Sequence, residues 1–102
     1  MFEWIDFTKE PGEHNDKKIQ VLALRTCAVC KEGMEFLASY GFSYQYTFAN
    51  ELSTKDKKRL KEEFQDHFGE HPFFPTIIVN DTDYRVGLVK DAWKEVLGIP
   101  SE

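Results

Sequence analysis

The chain has few of the features that place a small protein in a specialised class. Its 102 residues include only two cysteines, four prolines and six glycines, so neither a disulfide scaffold nor a low-complexity chain is expected. No apolar run in the sequence approaches the ~20 residues that span a bilayer. Basic residues are fewer than acidic ones: the chain has 13 Lys and Arg residues and 18 Asp and Glu residues, which gives a net charge of −5. An acidic surface repels phosphate backbones, so neither a nucleic-acid partner nor a membrane is expected.

The remaining composition is that of one ordinary globular domain. Apolar residues make up 41% of the chain and charged residues 30%, and the length suits a single core. Aromatic residues account for 15%, so the core should be built largely from rings. The start, Met1-Phe2-Glu3-Trp4, has neither the basic nor the apolar region of a signal peptide. We therefore expect a cytoplasmic monomer.

Hydrophobic patterning divides the chain into an N-terminal extension, residues 1–18, and a domain over residues 19–102. Within the extension, residues 2–7 suit a short extra edge strand or a frayed arm, and residues 11–16 are dense in turn formers. The domain predicts the order β–α–β–α–β–β–α. The predicted segments are strand 19–24, helix 28–40, strand 42–48, a helix between Ser53 and Gly69, strand 76–79, strand 84–86 and helix 89–97.

This order of elements predicts an α/β fold. A strand–helix–strand start requires a parallel pair of strands, and the short turn at residues 80–83 predicts an antiparallel hairpin. The expected architecture is a four-stranded mixed sheet with helices on both faces, plus the N-terminal extension.

The two cysteines, Cys27 and Cys30, lie where the buried first strand passes into the first helix. A helix N-terminus stabilises a thiolate, and three residues of helix bring two cysteines within the ~4.4–6.8 Å Cα separation of a disulfide. Arg25, and less directly Lys31, add positive charge nearby. The pattern predicts an exposed Cys27 of low pKa and a buried, less reactive Cys30. Together they would form a redox dithiol.

Other interpretations of the pair remain open at this stage. Cys27 and Cys30 could be half of a zinc or iron–sulfur site, or inert thiols in a non-catalytic interaction module. His67 and His71 have the i, i+4 spacing of two helical ligands, but Gly69 and Pro72 predict that the helix ends before His71.

A second candidate element is the loop from His71 to Thr76 that precedes a β-branched strand. If the Phe74–Pro75 bond is cis, the Phe74 main chain would face outward, where an extended peptide could pair with it. Phe73 and Phe74 are expected to contribute to an apolar surface beside Cys27, unless they belong to the core.

These segments resemble the thioredoxin superfamily and, within it, the small glutaredoxin-like proteins of prokaryotes. The resemblance covers about Ile19 to Ile99 and is carried by residues 24–30 (Leu-Arg-Thr-Cys-Ala-Val-Cys), residues 73–79 (Phe-Phe-Pro-Thr-Ile-Ile-Val) and Val86-Gly87-Leu88. It implies a thiol–disulfide oxidoreductase with Cys27 as the nucleophile and Cys30 as the resolving thiol. It also implies a cis Pro75 that faces them and a Gly87 that lets the last helix begin close to the site.

The resemblance further implies what surrounds the dithiol. The substrate-binding positions would be Arg25, Thr26, Phe74, Pro75, Thr76 and Gly87. No bound cofactor or metal is expected. Substrates would be disulfide-containing proteins or mixed disulfides, and reducing equivalents would come from glutathione or a thioredoxin-reductase-type system.

Four positions depart from the usual glutaredoxin pattern. Ala28 and Val29 stand between the cysteines in place of Pro-Tyr, and Leu24 stands where Lys or Arg is frequent. Lys90 replaces an acidic or hydroxyl residue and would repel the γ-glutamyl amine of glutathione. We therefore expect the protein to use glutathione poorly.

Overall fold

A computed structural model describes residues 1–100 of the chain. Within those residues, five strands, three α-helices and one 3-10 turn follow one another along the sequence. They are β1 (Thr8–Glu10), β2 (Ile19–Ala23), α1 (Ala28–Ser39), β3 (Tyr44–Phe48), the 3-10 turn (Ala49–Glu51), α2 (Thr54–Phe68), β4 (Thr76–Val79), β5 (Asp83–Val86) and α3 (Lys90–Leu97).

The strands form one mixed sheet in the order β1-β3-β2-β4-β5. β2 and β3 are parallel, and every other neighbouring pair is antiparallel. β2 lies at the centre, and all five of its residues are buried, as a strand covered on both faces requires. The predicted mixed sheet with helices on both faces is confirmed, although it has five strands rather than four.

The fifth strand arises from the N-terminal extension, but not at the position predicted for it. β1 pairs with β3 through Thr8–Glu10, whereas residues 2–7 form no strand. Phe2 and Ile5 are buried instead, and the Ile5 N–H donates to the Phe2 carbonyl at 3.1 Å. The side chains of Phe2 and Ile5 both pack inward around a turn. The approximate apolar alternation of residues 2–7 therefore reflects a buried turn rather than a strand. The boundary between the extension and the domain remains a prediction.

Two buried clusters lie on opposite faces of the sheet. The first unites alternate residues of β2 and β4 with α1 and α3, and its largest member is Trp93. The second unites the other residues of those strands with α2 and the N-terminal segment. The second cluster contains Phe2, Ile5, Leu22, Leu60, Phe64 and Ile78. The side chains alternate between faces as the period of two requires in a strand.

The helix boundaries follow the capping signals in the sequence. The Ser53 hydroxyl accepts from the Asp56 N–H at 3.1 Å, which begins α2. Gly69 has φ +80 and ends that helix in the left-handed conformation.

α1 and α3 pack closely because α1 carries Gly33 at their contact. A β-carbon at Gly33 would lie 2.8 Å from the ring of Trp93. The same ring is held at its other side, where Trp93 Nε1 donates to the Gly87 carbonyl at 2.9 Å. This contact therefore fixes α3 and the loop before it relative to α1, which carries both cysteines at its start.

Candidate functional site

Strand register brings four separate loops to one end of the sheet. Ala23 of β2 pairs with Phe48 of β3, and Leu22 of β2 pairs with Thr76 of β4. Thr76 pairs in turn with Val86 of β5. The cysteines follow β2 at this end. The loop after β3, the loop before β4 and the loop after β5 must therefore lie around them.

Cys27 is the N-cap of α1. Its backbone is extended, with φ −98 and ψ 110, and its Sγ accepts a hydrogen bond from the Cys30 N–H at 3.1 Å. The sulfur thus takes the place that a Ser or Asp oxygen has in an ordinary cap. Cys27 is half-buried, and both cysteines are unbridged. The sulfur consequently lies at the positive end of the helix dipole, where negative charge is favoured.

Cys30 lies one turn into the helix and has no exposed surface. Burial raises the pKa of its thiol to about 12, and the hydrogen bond with Cys27 contributes to the same shift. The negative charge of a Cys27 thiolate also raises this pKa. The two thiols therefore differ in access and in environment, one partly open to solvent and one held neutral inside the first cluster.

The loop before β4 lies at the same end of the sheet as this pair. The Phe74–Pro75 peptide bond is cis, and the Pro75 carbonyl accepts from the Gly87 N–H at 2.8 Å. Thr76 is buried, and its hydroxyl donates to the Phe73 carbonyl. Within residues 1–100, neither the N–H nor the C=O of Phe74 forms a main-chain hydrogen bond. The Phe74 main chain is therefore unpaired within these residues, whereas the Thr76 side chain is directed inward.

Arg25 and Thr26 precede the cysteines, and both are exposed. The Arg25 guanidinium lies over the Phe48 ring, 4.7 Å from its centroid, and is ion-paired with Glu51. This pairing raises the pKa of Arg25 and lowers the pKa of Glu51. The positive charge of Arg25 is thus compensated within the chain. Glu51 could not be found from the sequence, since it lies in a separate turn 26 residues further on.

Lys90 is compensated in a similar way on the other side of the site. Its Nζ lies 3.2 Å from Glu32 Oε1, which joins the start of α3 to α1. Three apolar side chains are exposed in the segments that carry these residues or adjoin them. Val29 is 47% exposed, Phe73 67% and Val89 60%, and these three residues are called the apolar rim below. Phe74, in contrast to Phe73, is half-buried against both clusters.

No three Cys, His, Asp or Glu side chains converge on a common point within residues 1–100. His67 and His71 do not form a pair of helical ligands, because α2 ends at Phe68, before His71. His67 Nε2 instead lies 2.8 Å from the Asp81 carbonyl oxygen.

None of the helices within residues 1–100 is both long enough and apolar enough to cross a membrane.

Comparison with known proteins finds similarity at the level of structure. No family model and no curated protein matches the sequence. The glutaredoxin from Methanosarcina mazei Go1 superposes with a TM-score of 0.77 at 26% identity, covering 92% of this chain and 89% of its own. Methanosarcina acetivorans methanoredoxin superposes with a TM-score of 0.76 at 28% identity, covering 89% of this chain and 95% of its own. A glutaredoxin from Archaeoglobus fulgidus, 21% identical with a TM-score of 0.68, shares the fold over 80% of this chain and 87% of its own.

The fold and the placement of the cysteine pair define a thioredoxin-superfamily architecture. In structure, the chain is similar to the glutaredoxins of that superfamily. The family resemblance inferred from the sequence is thereby confirmed.

Proposed function

We propose that the protein is a thiol–disulfide oxidoreductase that reduces protein disulfides or mixed disulfides through Cys27 and Cys30. The observation that carries this proposal is the difference between the two thiols. Cys27 caps a helix and is partly accessible, whereas Cys30 is completely buried directly behind it. Accessibility at a helix N-terminus is typical of an attacking thiol, and burial beside it is typical of a resolving thiol.

The reaction has two steps. The Cys27 thiolate attacks one sulfur of the substrate disulfide, which forms a mixed disulfide and releases the other sulfur as a thiolate that takes up a proton. Cys30 then loses its proton and attacks the Cys27 sulfur. The internal disulfide forms, and the second substrate sulfur leaves as a thiol. Two electrons pass from the protein dithiol to the substrate disulfide, and a thiol reductant must restore the dithiol.

The environment of Cys30 suits the second step. The negative charge of a Cys27 thiolate is one of the causes that raise the pKa of Cys30. Formation of the mixed disulfide removes that charge. The Cys30 proton is then lost more readily, at the stage when its thiolate is needed, so the resolving thiol stays protected until a substrate is attached.

The surrounding loops would hold the substrate. We assign this role to the main chain of Phe74, which has no main-chain hydrogen-bond partner within residues 1–100, to Pro75 and Gly87, and to Arg25 and Thr26 beside Cys27. Thr76 would contribute indirectly, because its buried hydroxyl fixes the carbonyl of Phe73. A reducing compartment such as the cytoplasm would maintain the dithiol.

The test is to compare Cys27→Ser and Cys30→Ser with the unaltered protein on a small neutral disulfide. Cys27→Ser should abolish reduction. Cys30→Ser should accumulate a mixed disulfide, visible as a mass increase of one substrate half that dithiothreitol removes. Full activity in Cys27→Ser would overturn the proposal.

The electron donor is tested separately, in coupled NADPH assays with purified components. We expect a thioredoxin-reductase-type system to recycle the protein more efficiently than glutathione with glutathione reductase. Saturable, efficient turnover with glutathione would contradict this expectation.

A further inference from the structure

The exposed surface around Cys27 combines apolar side chains with two ion-paired cations, Arg25 and Lys90. The apolar rim of Val29, Phe73 and Val89 comes from three separate segments, namely α1, the loop before β4 and the loop after β5. Register places those segments at the same end of the sheet. Large side chains that remain exposed around a reactive centre are typical of a surface that binds another apolar group.

The charges beside the rim point to the same kind of ligand. Arg25, two residues before Cys27, and Lys90, next to Val89, each have a carboxylate partner, Glu51 and Glu32 respectively. An anionic substrate would have to compete with these carboxylates for each cation and would be repelled by them. A neutral or apolar segment meets neither obstacle.

We infer that the preferred substrate is a protein disulfide flanked by apolar residues in an extended segment, and that Glu32 and Glu51 disfavour disulfides with acidic flanks. This inference rests on the proposed function. The cysteine-bearing segment would lie along the Phe74 main chain, whose N–H and C=O lack main-chain partners. Its flanking side chains would contact Phe73 on one side and Val29 and Val89 on the other. The apolar rim supplies the attraction, and the two glutamates supply discrimination.

The test measures single turnovers of the reduced protein with two synthetic peptide disulfides. One peptide has Val and Phe beside its cysteine, and the other has Glu on both sides. Both have the same neutral, soluble ends. Each second-order rate constant is divided by that of dithiothreitol with the same peptide, which removes intrinsic differences in reactivity. No external reductant is present, so the identity of the electron donor does not enter.

We expect the normalised rate constant to be at least about tenfold larger for the apolar peptide, which is what burying one large apolar side chain supplies. Phe73→Ser should reduce that preference by several-fold, chiefly through the apolar peptide. The double variant Glu32→Gln, Glu51→Gln should reduce it by accelerating reduction of the acidic peptide.

The matched control is Glu62→Gln. Glu62 is an exposed glutamate on α2 that is ion-paired with Lys58 at 3.9 Å, so this variant removes the same kind of charge elsewhere. It should leave the preference unchanged. Equal normalised rates for the two peptides in the unaltered protein would overturn the inference, and so would an effect of Glu62→Gln as large as that of the double variant. Failure of the proposed function would look different, because neither peptide would be reduced faster than by Cys27→Ser.

Discussion

Burial of Cys30 makes the stability of the reduced protein depend on pH in the alkaline range. In the folded chain the pKa of Cys30 is about 12, because the thiol is desolvated and hydrogen-bonded with Cys27, whereas the ordinary value is 9.0. Between these two pH values the unfolded chain loses the Cys30 proton and the folded chain retains it. Ionisation therefore favours the unfolded state, and stability falls as pH rises from about 9 toward 12.

The size of the effect follows from the separation of the two pKa values. Below pH 9 the thiol is protonated in both states, and Cys30 contributes no pH dependence. At pH 10, ionisation of Cys30 in the unfolded chain lowers the free energy of unfolding by about 1 kcal/mol, since each pH unit inside the window corresponds to about 1.4 kcal/mol. This loss is a measurable fraction of the stability of a small domain.

The assay is urea unfolding at pH 8 and pH 10 with a phosphine reductant that keeps both thiols reduced. Tyr44 and Tyr84, whose pKa values are also raised, titrate in the same alkaline range, so the unaltered protein alone is not informative. Cys30→Ala retains all those groups and serves as the reference. The unaltered protein should lose about 1 kcal/mol more than the variant between the two pH values. Identical losses would refute the argument that burial governs this thiol.

Two further predictions concern packing, both measured as the free energy of unfolding in urea. Phe2→Ala should cost about 3 kcal/mol, because Phe2 is only 1% exposed within the second cluster, whereas Phe73→Ala should change stability by less than about 0.5 kcal/mol. Equal effects of these two substitutions would show that the N-terminal segment is not part of the core. Gly33→Ala should destabilise by about 1 kcal/mol, because overpacking against Trp93 outweighs the helix propensity that alanine gains. Glu35→Ala, on the exposed side of α1, is its control, and a Gly33→Ala protein more stable than the original would contradict the close packing.

Much of the fold was predictable because its signals are local. Ser53 and Gly69 predicted both ends of α2, and the continuous apolar run of β2 predicted a central strand. The cysteine pair was predictable for the same reason, since its spacing and its position before a helix are visible within a few residues. Short-range patterns were therefore sufficient to predict the elements of the domain from β2 onward and the cysteine pair at the centre of the candidate site.

What escaped prediction depends on contacts between distant residues. The alternation at residues 2–7 suggests a strand, yet burial of Phe2 and Ile5 against α2 makes a turn there and moves the strand to Thr8–Glu10. The compensation of Arg25 by Glu51 is equally invisible, because it requires the ends of β2 and β3 to lie side by side. Such pairings are decided by tertiary structure, and no local pattern encodes them.

Phe74 connects the two buried clusters at the end of the sheet where the cysteines lie. Its ring packs against both buried clusters, although the clusters are otherwise separated by the strands. A smaller side chain here would leave space on both faces at once. The position of the loop before β4 is thus tied to the integrity of both layers, so a packing defect on either face of the sheet would alter the surroundings of Cys27.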